Sequence, residues 1–224
     1  MSSVEIIPTI VPASLTDIEG KSDRYSTFAS FFQIDVADGK FAPNTTWLPS
    51  RGDSLPQAYG YEVHLMVSDP GLLGVLFAEA GARSIIGHLE ALSGVDNAKQ
   101  IFEDWRASGA RSIGLAVLLQ TPLEDVIPYL SNVDFVLLMT IARIGVQGIP
   151  FDESAPARVA EFRRRFPNVL IAVDGGVSAS NIEELARAGA SRFGVGSAIS
   201  RASNPAEAYV RLKHLAESAS LMRA

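Results

Sequence analysis

Three side chains near the ends of apolar segments have the types and positions that suggest chemistry. Asp35 lies close to the end of the apolar segment 31–36, Asp174 directly follows segment 169–173, and His64 lies near the end of segment 61–65. A buried carboxylate is costly without a partner, so an aspartate at such a position indicates a metal, a cation or a catalytic role. The three residues can form one site if their segments are neighbouring strands of one sheet.

The composition excludes several classes of protein. The chain has 224 residues, 47% of them hydrophobic and 20% charged, which predicts one globular domain over residues 1–224. The lack of cysteine excludes disulfides, thiolate metal sites and cysteine nucleophiles. A net charge of -6 argues against a nucleic-acid partner. No apolar run approaches the roughly 18 residues of a membrane helix, and residues 1–10 do not resemble a signal peptide, so we expect a cytoplasmic protein without a membrane partner.

Strand-like and helix-like segments alternate along the chain. Most of the strand-like segments are continuous runs rich in Ile, Val and Leu, which is typical of strands buried on both faces. The segment 38–60 is predicted to be mostly loop. Strands are predicted at 5–11, 31–36, 61–65, 84–87, 112–117, 133–138, 169–173 and 191–195, and helices at 71–80, 96–108, 122–130, 152–166, 181–188 and 205–221.

Eight strand–helix units in this length predict an α/β protein with a closed (β/α)₈ TIM barrel. An open doubly wound sheet is the alternative, but it usually carries glycines after its first strand, where this chain has Pro12-Ala13-Ser14. In a barrel, the C-terminal strand ends meet on one face, which would bring the three candidate residues together. Glycine-rich turns after strands 7 and 8 could hold a phosphate there through backbone N–H groups.

Four motifs resemble those of one enzyme family. Residues 33–44 are QIDVADGKFAPN, residues 62–66 are EVHLM, residues 173–181 are VDGGVSASN and residues 196–199 are GSAI. Together they resemble the signatures of the ribulose-phosphate 3-epimerase family, over about residues 6–199. The resemblance implies a ribulose-phosphate-binding barrel and an isomerase of pentose phosphate and carbohydrate metabolism. Its expected reaction is the 3-epimerisation that interconverts D-ribulose 5-phosphate and D-xylulose 5-phosphate.

The resemblance also implies roles for individual residues. Asp35 and Asp174 match the two acid–base groups that remove and return a proton on opposite faces of C3. They also match ligands of a divalent metal (Mn, Mg, Zn or Fe), together with His64. Gln33 stands where the family has a further histidine ligand, and its carbonyl oxygen would be a weaker ligand. The positions matched to the substrate and its phosphate are Thr9, His64, Met66, Met139, Gly145, Gly148, Gly175, Gly176, Gly196 and Ser197.

The departures from the family pattern leave alternatives open. Besides Gln33, the chain has Ala37 in place of a methionine and a changed loop at 139–148. The alternatives are an epimerase for a different ketose phosphate, and a re-purposed or non-catalytic barrel that binds a phosphorylated sugar. His64 could also be a hydrogen-bonded core histidine, and His88 is expected to shape the pocket wall. The sequence leaves open the sugar, the metal and the oligomeric state, with a homo-oligomer among the alternatives.

Overall fold

The strands close into one parallel barrel in which each strand pairs with the next and β8 pairs with β1. The computed structural model describes residues 4–145 and 149–222. The predicted barrel is confirmed, all eight predicted strands lie within two residues of their expected bounds, and the open-sheet alternative is wrong. The strands are β1 (Glu5–Ile10), β2 (Phe31–Ala37), β3 (Gly60–Met66), β4 (Ser84–His88), β5 (Ser112–Val117), β6 (Phe135–Met139), β7 (Leu170–Asp174) and β8 (Arg192–Val195).

Helices lie between most of the strands, and among the described residues none is long and apolar enough to cross a membrane. The predicted helix at 122–130 is a 3₁₀ helix, Leu123–Tyr129. Pro128 lies inside it and has no N–H to donate. The α-helices are α1 (Leu15–Tyr25), α2 (Pro70–Glu79), α3 (Val95–Ala107), α4 (Ala155–Arg165), α5 (Ile182–Ala188), α6 (Ser197–Ser200) and α7 (Pro205–Leu221).

Helix α1 was not among the helices predicted from the sequence. Its buried face contains only Ile18, Ser22 and Tyr25, so the apolar stripe is weak. Ser22 is nevertheless buried because its hydroxyl bonds the Ile18 carbonyl and the Tyr61 hydroxyl. The local signal that marks this helix is its N-terminal cap, in which the Ser14 hydroxyl accepts a hydrogen bond from the Asp17 N–H.

The core has two parts, one inside the barrel and one between the barrel and its helices. The outer part is the larger and consists mainly of Val, Ile, Leu and Phe side chains. The inner part includes Ala37, Met66, Phe135 and Met139. Residues that point inward at the C-terminal ends of the strands form the floor of an open mouth, and this is where the candidate site lies.

Strand register places the candidate residues at one height. Asp35 on β2 is directly opposite His64 on β3. Asp174 is opposite Met139 on β6 and Gly194 on β8. The ends of the parallel strands therefore bring together residues that are up to 139 positions apart in the sequence.

Candidate active site

The three candidate residues meet at the C-terminal end of the barrel. The His64 Nδ1 lies 3.6 Å from Asp35 Oδ1 and 3.4 Å from Asp174 Oδ2. His64 is 1% exposed, and each aspartate side chain is 14% exposed. Two carboxylates and an imidazole thus share one small, poorly solvated space, as the strand-end argument from the sequence predicted.

Gln33 lies between the two carboxylates. Its Nε2 donates hydrogen bonds to Asp35 Oδ1 at 2.7 Å and to Asp174 Oδ2 at 2.5 Å. In this arrangement the amide nitrogen, rather than the carbonyl oxygen, faces the acids. Gln33 therefore acts here as a neutral donor that joins the pair, while its suggested role as a metal ligand stays a prediction.

Burial and neighbouring charges raise the pKa values of Asp35 and His64. Burial raises the pKa of Asp35, and repulsion from Asp174 adds to this, although His64 and Gln33 oppose it. Burial by itself would lower the pKa of His64, but the carboxylates of Asp174 and Asp35 outweigh it and raise that pKa to about 9. The imidazolium and the shared amide hydrogens therefore offset the charge of the two acids.

The residues present fit a divalent metal. One ligand atom from each of Asp35, His64 and Asp174 lies within 4.8 Å of the others. The buried Nδ1 of His64 makes no hydrogen bond within the described structure, although the nearest oxygens of Asp174 and Asp35 lie only 3.4 and 3.6 Å away. A buried polar atom usually has a partner, and two carboxylates with one imidazole are a donor set that Mn²⁺, Zn²⁺ and Fe²⁺ accept.

His88 lies behind His64 instead of lining the pocket. Its Nε2 is 2.9 Å from the His64 Nε2, the two rings are stacked with centroids 5.0 Å apart, and His88 is fully buried. Burial lowers the pKa of His88 to about 4, and repulsion from His64 contributes to this. The expectation that His88 shapes the pocket wall is therefore wrong, because His64 stands between it and the cavity.

A cavity of about 130 Å³ opens above the carboxylates. Its lining is mostly apolar with a few polar groups, which is typical of small-molecule sites. Gln33 does not line it, and Gly148 lies outside the described residues. The predicted site residues that do line it are Thr9, Asp35, His64, Met66, Met139, Gly145, Asp174, Gly175, Gly176, Gly196 and Ser197.

The two glycine turns form one side of the cavity. Gly175 and Gly176 have φ angles of 113° and 66°, which L side chains rarely adopt. A Cβ at Gly196 would lie 2.9 Å from the Thr9 hydroxyl, so this backbone approaches β1 closely. The absence of side chains leaves backbone open toward the cavity next to the first residue of α6, Ser197.

The mouth of the cavity is lined by residues that the sequence did not single out for the site. Ile141, Ile144 and Ile149, in the segment after β6, give it an apolar edge, and Gly145 lies directly against Ala42 of the loop after β2. Asn44 and Thr46 line it from that loop. Asn44 belongs to a motif that was quoted from the sequence, whereas the isoleucines carry no local signal.

Solved structures with the same fold have low sequence identity to this chain. One is 3-hexulose-6-phosphate synthase from Salmonella typhimurium, with a TM-score of 0.69, 15% identity and coverage of 96% of this chain and 100% of the other. Another is 3-keto-L-gulonate-6-phosphate decarboxylase from Vibrio cholerae, with a TM-score of 0.69, 12% identity and coverage of 97% and 99%. At such identities the likeness shows the fold alone.

Sequence comparison relates the chain to ribulose-phosphate 3-epimerases. The protein of that name from Mycobacterium tuberculosis is 32% identical, covering 96% of this chain and 94% of the other. The one from Escherichia coli is 33% identical, covering 89% and 90%. The model of the ribulose-phosphate 3 epimerase family matches residues 5–200. This match includes both aspartates, His64 and both glycine turns, and the chain therefore belongs to the ribulose-phosphate 3-epimerase family.

Proposed function

We propose that this protein interconverts D-ribulose 5-phosphate and D-xylulose 5-phosphate by epimerisation at C3. The observation that carries the proposal is the meeting of Asp35 and Asp174 on the floor of a small cavity beside a glycine-rich backbone cradle. Membership of the family and relatives named ribulose-phosphate 3-epimerase support it. The reaction needs two acid–base groups and a phosphate site, and the cavity offers candidates for both.

In this proposal the two aspartates exchange one proton with C3 from opposite faces. The carboxylate of Asp174 removes the C3 proton in one direction, and Asp35 delivers a proton to the other face. Asp35 suits the proton-holding role because burial and the neighbouring Asp174 raise its pKa. In the reverse direction the two roles are exchanged, so both residues must be able to hold and release a proton.

Removal of the C3 proton gives an enolate, whose negative charge lies mainly on the substrate oxygen at C2. His64 and the Gln33 amide are placed to compensate charge on the floor of the cavity. Asp35, His64 and Asp174 would hold a divalent metal. When bound, such a metal would supply Lewis-acid stabilisation of that oxygen charge.

The rest of the cavity would bind and orient the sugar phosphate. We assign the phosphate to the backbone at Gly175, Gly176, Gly196 and Ser197. Backbone N–H groups at such turns can bind a phosphate without help from a positively charged side chain. Thr9, Met66, Met139, Gly145 and Gly148 are proposed to contact the sugar chain. We expect the protein to work in the cytoplasm, like the rice relative named as a cytoplasmic isoform, which is 30% identical.

The test is exchange of the C3 proton in deuterated water. Purified protein is incubated with D-ribulose 5-phosphate, with and without added Mn²⁺ or Zn²⁺, and deuterium at C3 and formation of D-xylulose 5-phosphate are followed by NMR. We expect both to occur together. Exchange only with another ketose 5- or 6-phosphate would reassign the substrate.

One observation favours a second candidate, a barrel that binds a sugar phosphate without epimerising it. Gln33 donates hydrogen bonds to both carboxylates where the family pattern has an imidazole, so this position presents a neutral donor to the acids instead of a metal-binding nitrogen. Saturable binding of D-ribulose 5-phosphate without C3 exchange under all metal conditions would support this candidate and exclude the epimerase.

A further inference from the structure

Behind the candidate site, a chain of hydrogen-bonding groups leads from His64 to a loop on the far side of β4. His64 Nε2 faces His88 Nε2, and His88 Nδ1 faces Glu90 Oε2 at 3.4 Å. The other carboxylate oxygen of Glu90 accepts the Leu118 N–H at 2.8 Å and the Thr121 hydroxyl. None of these groups except His64 lines the cavity.

The Glu90 carboxylate is surrounded by donors, which fixes it as an acceptor. Arg158 holds the donor loop in place, because its Nη2 donates to the carbonyl oxygens of Leu118 and Thr121 at 3.1 and 2.5 Å. The Glu90 side chain is 19% exposed and is therefore poorly placed to exchange these partners for water. The nitrogen of His88 that faces it, Nδ1, must then carry a hydrogen.

The direction of this hydrogen bond sets the next one. A neutral imidazole with its hydrogen on Nδ1 has a lone pair on Nε2, so His88 accepts at the 2.9 Å contact and His64 donates from Nε2. The hydrogen of a neutral His64 is then on Nε2, and its Nδ1 lone pair points between Asp35 and Asp174. Phe41, whose ring centroid is 5.0 Å from that of His88, packs against this histidine.

We propose that Glu90 and His88 are positioning residues that place the hydrogen of His64 on Nε2 and so keep its Nδ1 free to bind a divalent metal between the two aspartates. The inference rests on the proposed function for the use of that metal in catalysis. The location of the hydrogens can nevertheless be measured without substrate. Partners of ligating histidines generally orient the ring and select its tautomer.

The sharpest test is Glu90→Gln. If the glutamine oxygen keeps the Leu118 and Thr121 donors, its NH₂ group faces His88 Nδ1, which must then become an acceptor. The hydrogen of His88 moves to Nε2, the His64 Nε2 becomes an acceptor, and the His64 hydrogen moves to Nδ1. We therefore expect reversed tautomers and zinc affinity reduced by about 10- to 100-fold, the usual effect of losing such a partner.

Long-range ¹H–¹⁵N NMR of the histidine rings reads the tautomers directly when it is recorded above the His64 pKa of about 9, where this ring is neutral. The chain has three histidines, and the exposed His214 on α7 provides an internal reference for the other two. Zinc affinity is measured by calorimetry on the same samples. Glu124→Gln is the matched control, because it is the same substitution at an exposed residue paired with Arg165, and it should change neither readout.

A second pair of variants separates positioning from packing. His88→Gln keeps an oxygen that can accept from His64 Nε2, whereas His88→Leu keeps bulk without an acceptor, so zinc affinity should be retained better by the glutamine. If His88→Leu does not fold, the tautomers and zinc affinity of Glu90→Gln still test the proposal. Three results would each overturn the proposal, whether or not the protein is an epimerase. The first is a wild-type His88 with its hydrogen on Nε2, and the second is unchanged tautomers in Glu90→Gln. The third is equal zinc affinity in folded His88→Leu and His88→Gln.

Discussion

The Gln33 amide nitrogen lies 2.5 Å from Asp174 Oδ2, although 141 residues separate the two in the sequence. The same nitrogen also binds Asp35, so one neutral group joins both candidate acid–base residues. Hydrogen bonds to a carboxylate favour its charged form, but a neutral amide compensates less charge than a cation does. The charge balance of this site therefore depends on whether a cation binds there, and a metal ion bound by His64 is the clearest candidate.

Gln33→His should strengthen zinc binding. An imidazole nitrogen is a better zinc ligand than an amide, and the substitution would bring it next to two carboxylates and His64. We expect at least about a 10-fold tighter dissociation constant for zinc, with epimerase activity raised or restored. Titration of both proteins with zinc, together with the epimerase assay, measures this.

Gln33→Leu is the matched variant, because it removes the amide at similar size and supplies no ligand. It should leave the two carboxylates without their shared donor and lower stability at pH 7. Tight stoichiometric zinc in the unmodified protein, with no gain from the histidine, would contradict the interpretation of Gln33.

Asp35→Asn and Asp174→Asn should each reduce turnover by about 10²–10⁴-fold, which is what a positioned acid–base group contributes. Stability should change little, because each substitution also removes repulsion between two buried carboxylates. Turnover and C3 exchange are measured with D-ribulose 5-phosphate. Asp125→Asn, the same change at an exposed residue, serves as the control. Near-normal C3 exchange in either site variant would exclude the acid–base role of that residue.

Gly196→Ala tests the phosphate cradle. Its ψ angle of -91° lies outside the usual helical range, so alanine would strain this backbone, and the added Cβ would lie 2.9 Å from the Thr9 hydroxyl. We expect KM for the sugar phosphate to rise about 10-fold or more with a smaller change in kcat, because the disturbed backbone binds the phosphate and not C3. A crystal soaked in the sugar phosphate should show its phosphate at Gly175, Gly176, Gly196 and Ser197. An anion found reproducibly elsewhere would refute this assignment.

Asp38 should make stability depend on pH below about 4. Although burial opposes its ionisation, the N–H groups of Ser68, Phe41 and Lys40 lower the pKa of Asp38 to about 2. A lowered pKa stabilises the fold above the unfolded-state value near 3.9, and this contribution is lost as the pH falls from there toward 2.

Asp38→Asn should therefore cost about 1 kcal/mol at pH 7, a value reduced for solvent screening, and progressively less between pH 4 and pH 2. Urea unfolding of both proteins across this range measures the difference. A difference that stays constant down to pH 2 would show that the ionised form of Asp38 does not matter.

The sequence by itself was sufficient to predict the barrel and the position of Asp35 and Asp174 at the ends of its strands. Continuous segments of Ile, Val and Leu are typical of strands in a sheet that is buried on both faces. Eight such strands with helices between them indicate a closed barrel. The motifs around Asp35, His64 and Asp174 can also be recognised in the sequence, because each lies at the end of an apolar strand segment. Helix α1 was not predicted because the polar residue Ser22 interrupts its apolar stripe. The hydrogen-bond partner that allows Ser22 to be buried, Tyr61, is on a strand that is distant in the sequence.

Only the tertiary structure decided how these residues are connected. Whether Gln33 presents oxygen or nitrogen depends on the carboxylate of Asp174, which the chain order does not place beside it. The same holds for His88, whose nitrogen meets His64 across neighbouring strands, and for Glu90, whose donors come from the loop after β5. Hydrogen bonds depend on angstrom distances between separate strands, and sequence patterns carry periodicity but not those distances.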